Sequence, residues 1–195
     1  MKIGVLAVQG AVSEHVEMVD RALRGLGRSG SPAVVRTVDQ IEGIDSLIIP
    51  GGESTTISRL IDKQGLRESI VKRGQEGMPI MGTCAGCVLM AKAGDEDVER
   101  TDTELLSLMD MKVVRNAFGR QRESFEAELD TVLFEDPFPG VFIRAPAIAE
   151  VWEDCRVLAR LDELVVMAGQ ANLLAVAFHP ELSGDPRVHE HFLDL

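Results

Sequence analysis

The sequence predicts an α/β fold of three layers, a mostly parallel sheet with helices on both faces, with antiparallel strands added in the second half. Three observations carry the prediction. Continuous apolar runs rich in β-branched residues, at residues 3–8 and at Ser46-Leu47-Ile48-Ile49, read as strands buried on both faces. Stretches of helical periodicity separate them, and strands that alternate with helices build a parallel sheet. Beyond Asp110 the pattern changes to short strands divided by turns.

Taken in order, the strand at 3–8 is closed by Gln9-Gly10. Val12, Val16, Val19, Leu23 and Leu26 then recur at steps of four and three, one face of a helix, which Gly25, Gly27 and Gly30 terminate. His15 on this helix reads as a surface or boundary residue rather than a ligand. Residues 33–38 form a second strand and Ser46–Ile49 a third, followed at once by Pro50-Gly51-Gly52-Glu53-Ser54-Thr55-Thr56. Helical patterns cover 57–63 and 66–73. Pro79-Ile80-Met81 is the end of a buried strand, and Val88-Leu89-Met90-Ala91 continues as an apolar helix. Residues 95–104 are acidic and aperiodic, a solvated connection. Strands follow at 111–114, 124–129, 141–143, 156–159, 164–167 and 173–178, and residues 185–195 close the chain as a short helix. There is no internal repeat, low-complexity tract or linker, so residues 1–195 are expected to form one domain.

Composition narrows the function. With 45% hydrophobic and 27% charged residues, the 195-residue chain suits a soluble domain with a sizeable core. A net charge of -12 repels phosphate backbones, which argues against nucleic acid as a partner. Three scattered cysteines make no disulfide framework. The apolar N-terminus is too short for a signal peptide, and no run reaches the roughly 18 residues a membrane helix needs. The expectation is a reducing, cytoplasmic location without membrane contact.

The chemistry centres on Gly82-Thr83-Cys84-Ala85-Gly86, a buried strand turning sharply into a helix. This is the spacing of a nucleophile elbow, G-x-S-x-G, with sulfur in place of oxygen. The tight turn leaves no room for side chains two residues either side of the nucleophile, and the Ala85 amide can point at an oxyanion. Other readings stand beside it. Cys84 could be a small buried residue, or Cys84 and Cys87 a C-x-x-C redox pair. A zinc site needs about four ligands, more than this stretch supplies.

Two distant stretches bear on the choice. His179-Pro180-Glu181 lies at the end of a strand, where α/β enzymes place their chemistry. A cysteine nucleophile needs a base, and the base needs an acceptor to orient it. At a spacing of two, extended residues share one face, so Glu181 can reach the His179 ring. Pro50-Gly51-Gly52-Glu53-Ser54 offers amides that would complete an oxyanion hole with Ala85, or else a plain turn into a helix. It lacks the lysine of a phosphate-binding P-loop.

Gly-Thr-Cys-Ala-Gly at 82–86, Pro-Gly-Gly-Glu-Ser-Thr-Thr at 50–56 and Phe-His-Pro-Glu-Leu at 178–182 resemble the triad (class I) glutamine amidotransferases. Val8-Gln9-Gly10-Ala11-Val12, Arg115-Asn116-Ala117-Phe118-Gly119-Arg120-Gln121, Ser124-Phe125-Glu126-Ala127 and Gly140-Val141-Phe142-Ile143-Arg144-Ala145-Pro146 narrow the match. Together they resemble the glutaminase subunits of pyridoxal 5'-phosphate synthase, over nearly the whole chain. The resemblance implies a flavodoxin-like scaffold and hydrolysis of L-glutamine without cofactor or metal. It implies Cys84 as nucleophile, His179 as acid and base, Glu181 as its orienter, and Gly52 and Ala85 as the oxyanion hole. It implies Gly52, Glu53, Ser54, Arg115, Ile143 and Arg144 as glutamine-binding positions, with Arg120 a competitor for the substrate carboxylate. The implied partner is a barrel-shaped synthase subunit that receives the ammonia in a hetero-oligomeric complex. Cys87 departs from the aliphatic residue the family leads one to expect, and the chain ends soon after its last helix begins, which would weaken a partner contact.

Overall fold

The computed structural model of the chain describes residues 1–119 and 123–195. The first apolar run forms β1 (Lys2–Leu6), buried at every residue after Lys2. The amphipathic stretch after Gln9-Gly10 forms α1 (Val12–Gly25), and β2 (Ser31–Val35) follows. The second strand thus ends three residues earlier than the apolar run suggested. Thr37 and Gln40 make a reciprocal capping box, and the chain turns there into α2 (Val38–Glu42). β3 (Ser46–Ile49) is wholly buried. α3 (Ser54–Lys63) starts early because the Glu53 carboxylate caps it, accepting from the Thr55 and Thr56 amides at 3.1 and 2.7 Å. α4 (Arg67–Gln75), β4 (Ile80–Thr83) and α5 (Ala85–Met90) complete the parallel half.

After β5 (Ala91–Ala93) the acidic connection departs from the expected loop. It carries α6 (Glu96–Arg100), capped by Asp95 and pinned by the buried Val98. The one apolar residue in an acidic stretch was enough to dock a helical turn. The second half comprises β6 (Met109–Val114), β7 (Ser124–Leu129), β8 (Phe138–Ile143), β9 (Ala147–Val151), β10 (Arg156–Leu161), β11 (Leu164–Gln170) and β12 (Leu173–Val176). A single 3-10 turn (Pro180–Leu182) and α7 (Arg187–Leu193) finish the chain.

Among the described residues the main sheet runs β2-β1-β3-β4-β12-β11-β9-β6-β5, with β10 on β11. The run from β2 to β12 is parallel, and β12 hands over to antiparallel pairing with β11. Two apolar clusters cover the two faces. One collects Ile41, Ile57, Ile61 and Ile70 from α2, α3 and α4. The other collects Val19 and Leu23 of α1, Val188 and Phe192 of α7, and Phe138 and Phe142 of the β7–β8 hairpin. Helices therefore lie on both faces, and the carboxyl ends of β1, β3, β4 and β12 meet at one edge, where ligands bind in open α/β sheets. No helix among the described residues is long and apolar enough to cross a membrane.

Candidate active site

β4 ends at Thr83, α5 begins at Ala85, and Cys84 between them has φ 49° and ψ −104°. A non-glycine residue in that region costs on the order of 1–3 kcal/mol and persists only when its surroundings impose it. Here they do. The Cys84 amide donates to the Val176 carbonyl of β12 at 2.8 Å. A Cβ at Gly86 would stand 2.1 Å from the Ile49 carbonyl oxygen, and one at Gly82 would stand 2.6 Å from the Gly86 backbone. Backbone meets backbone on both sides of the cysteine, so the spacing of the two glycines is a packing requirement. The Cys84 Sγ lies 4.0 Å from the Ile143 carbonyl oxygen.

His179 lies three residues past β12 and donates its amide to the Val141 carbonyl of β8 at 2.8 Å. Glu181 reaches it from the 3-10 turn and not along an extended strand, because Pro180 opens that turn. Glu181 Oε1 sits 2.7 Å from His179 Nδ1. Burial works against a charge on His179, but hydrogen bonds to Cys84 and Glu181, and their charges, outweigh it and raise its pKa to about 10. The carboxylate holds the ring at Nδ1, and both His179 and Cys84 face the same cavity. Behind Glu181 stands His15, fully buried and 3.4 Å from Oε2. The surface reading of His15 is thereby corrected: it lies on the face of α1 that packs against α7 and the sheet edge.

The turn after β3 closes over the same point. The Gly51 amide donates to Thr83 Oγ1 at 3.1 Å, and the Glu53 amide to Gln9 Oε1 at 2.9 Å. A Cβ at Gly51 would stand 2.5 Å from His179 Cε1, so this turn approaches the ring as no other residue could. Glu53 also takes the Arg115 guanidinium at 3.1 Å. Its carboxyl is held below the usual range despite burial, by hydrogen bonds from Thr56 and Thr55 and by Arg115. Arg115 donates further to Thr101 at 3.0 Å and Thr55 at 3.3 Å.

These elements enclose a cavity of about 510 Å³. Gly52, Glu53, Ser54, Cys84, Ala85, Arg115, Ile143, Arg144 and His179, all singled out in the sequence, line it. Glu181 lies behind His179 and out of the cavity wall. Arg120 lies outside the described residues. Arg144, at φ 42°, has no hydrogen-bonded or ionic side-chain partner among the described residues and faces the cavity. Gln9, Val88, Asn116 and Pro146 also line it and were not read as site residues. Gln9, Asn116 and Pro146 stood inside motifs that carried the resemblance, which was the available signal.

Cys87 is fully buried, and burial pushes its thiol far up. A redox partner needs an accessible thiolate, so the geometry does not favour the C-x-x-C reading. No group of three or more His, Cys, Asp or Glu among the described residues is arranged to hold a metal.

A family model described as the SNO glutamine amidotransferase family matches residues 5–195. The chain is 53% identical over 194 residues to the pyridoxal 5'-phosphate synthase subunit PdxT of Methanosarcina barkeri, covering 100% of this chain and 97% of that one. It is 53% identical over 195 residues to PdxT of Archaeoglobus fulgidus, covering 100% and 98%. Its fold matches the crystal structure of a glutamine amidotransferase with a TM-score of 0.86 at 44% identity, over 98% of this chain and 97% of the other.

Proposed function

The chain belongs to the SNO glutamine amidotransferase family, and from that premise we propose that it is the glutaminase subunit of a pyridoxal 5'-phosphate synthase. It hydrolyses L-glutamine to L-glutamate and ammonia, and passes the ammonia to a separate barrel-shaped synthase subunit in a hetero-oligomeric complex. The observation that supports this most is that Cys84 and His179 line one cavity of the size small ligands occupy, with Glu181 bonded to His179 Nδ1 behind them.

The arrangement suits amide hydrolysis through a cysteine thioester. Cys84 attacks the carboxamide carbon as the thiolate, its proton resting on His179, and the carbonyl oxygen takes the electron pair while facing the amides of Gly52 and Ala85. His179, kept cationic by that thiolate and the Glu181 carboxylate, gives its proton to the amide nitrogen as the C–N bond breaks. Ammonia leaves and a thioester remains. His179, now neutral, takes a proton from water, the hydroxyl adds to the thioester carbon, and Sγ departs with glutamate released. Glu181 fixes the ring throughout. At the far end of the substrate, Arg144 has no carboxylate of its own to satisfy and takes the glutamine carboxylate, with Arg115 beside it anchored by Glu53. The three free thiols fit a reducing cytoplasm.

The test is glutamate release, with and without a synthase subunit. Release should be slow for the chain alone and rise at least about tenfold on adding the synthase, roughly 1.4 kcal/mol off the barrier. Ammonium salts should support pyridoxal phosphate formation when this chain is absent. Equal release in both conditions, with no complex on a sizing column, defeats the reading of a partner-dependent subunit.

A further inference from the structure

Glu181 has two oxygens, and the triad accounts for one. Oε1 receives His179 Nδ1. Oε2 is buried and accepts no hydrogen bond among the described residues; His15 Nε2 faces it at 3.4 Å. His15 Nε2 is also 3.1 Å from Thr83 Oγ1, which accepts the Gly51 amide. On its other side, His15 Nδ1 lies 3.0 Å from His189 Nε2, and His189 Nδ1 has no partner. The four groups come from α1, the end of β4, the 3-10 turn and α7.

Burial pushes both histidines down, His189 to about 3 and His15 well below its ordinary value, with the neighbouring His189 and His179 adding to the effect on His15. Each ring is therefore neutral and carries one N–H. That leaves two arrangements. If His15 carries its proton on Nδ1, it donates to His189 Nε2. His189 must then hold its own proton on Nδ1, a buried donor with nothing to receive it. A bare His15 Nε2 would also point its lone pair at the Glu181 carboxylate. If instead His189 donates from Nε2 to His15 Nδ1, then His15 donates from Nε2 toward Thr83 and Glu181 Oε2. The unpaired ring nitrogen, His189 Nδ1, is then an acceptor, the carboxylate gains a donor, and the Thr83 hydroxyl hydrogen turns away from the two N–H groups it accepts. The second arrangement avoids both an orphaned N–H and a lone-pair clash.

From this juxtaposition we infer that His15 is a positioning residue, whose Nε2–H holds the second oxygen of Glu181 and the Thr83 hydroxyl. It thereby ties the orienter of His179 to the turn that carries Gly51 and Gly52. His15 does not line the substrate cavity and acts through Glu181 and Thr83. The inference rests on the glutaminase reading only for its kinetic consequence; the tautomers follow from the burial of the two rings and the contacts around them.

The experiment has two arms on the full chain. Nitrogen-15 histidine spectra should show both His15 and His189 neutral and protonated on Nε2 between about pH 6 and 8. Kinetics with the synthase present should show His15→Leu lowering kcat about tenfold to a hundredfold, the loss of one hydrogen bond to a charged group, with KM within about twofold. His15→Gln, whose amide nitrogen reaches the Nε2 place, should restore most of kcat, and His15→Asn, which reaches the Nδ1 place, should not. In a Glu181→Ala background His15→Leu should cost little further, because residues acting as a unit do not add. If His15→Leu fails to fold by circular dichroism, the Gln and Asn pair decides. A His15 protonated on Nδ1, a normal kcat in His15→Leu, or equal rescue by Asn and Gln overturns the inference. A wild type that releases no glutamate defeats the glutaminase reading instead, and the spectra still decide the tautomers.

Discussion

Two strand-to-helix turns stand side by side at the edge of the sheet, and they are held in different ways. The elbow around Cys84 is fixed by backbone against backbone: Gly86 on the Ile49 carbonyl, Gly82 on Gly86, and the Cys84 amide on Val176. At the Gly51-Gly52 turn the Gly51 carbonyl also packs on the Gly10 backbone, but the amides are held by side chains from elsewhere, Thr83 on the Gly51 amide and Gln9 on the Glu53 amide. Backbone packing can yield only if the sheet yields. A side-chain hydrogen bond can be exchanged for another at a net cost of about 1 kcal/mol. The Cys84 elbow is thus the fixed half of the site, and the amides of the Gly51-Gly52 turn the adjustable half.

The comparison can be broken from its rigid side first. Cys84→Ser should leave folding and glutamine binding intact while glutamate release falls by about four to six orders of magnitude, as for other triad nucleophiles; calorimetric binding and a glutamate assay check both. Gly86→Ala should cost more than about 3 kcal/mol in stability, because its Cβ meets a carbonyl that cannot move away. Urea unfolding reads this, and a near-normal midpoint would show that the elbow is not over-determined. The adjustable side sharpens the contrast. Gln9→Leu removes the acceptor for the Glu53 amide and should cost only about 0.5–1.5 kcal/mol in stability. Its basal glutamate release should change by more than its stability does, and a synthase subunit should recover part of the rate.

The parallel half was legible because its strands are short and largely apolar, and Ser46–Ile49 was read to the residue. In the antiparallel half, Ser124–Leu129 was as well. What escaped depended on contacts far apart in sequence. β9 (Ala147–Val151) has only moderate strand character and exists because β6 and β11 flank it. α6 hangs on the buried Val98 and the Asp95 cap. Six of the nine cavity-lining residues named from the sequence, with Glu181 behind them, lie together because motifs at 50–56, 82–86 and 178–182 follow adjacent parallel strands; Arg115 reaches the cavity from the end of β6, and Ile143 and Arg144 from the end of β8. His15 was misjudged, although its spacing from Val12 and Val19 puts it on the apolar face of α1. Nothing local says that its partner is 174 residues away on α7.

That buried pair has a consequence for the whole chain in acid. His189 titrates near 6.5 when unfolded and near 3 when folded, and His15 is lowered in the same direction. As pH falls below 6.5 the unfolded chain takes up protons that the folded one refuses, so stability drops by about 1.4 kcal/mol per pH unit for each such ring. The carboxylates held low, Glu53, Asp110 and Asp185, give up their contribution only further down. The fold should therefore weaken between pH 6.5 and about 4.5, before those carboxylates titrate, and His189→Leu should flatten that slope by one proton in urea unfolding across the range. The arrangement that steadies a glutamate beneath the site also sets how sour a compartment the molecule can survive.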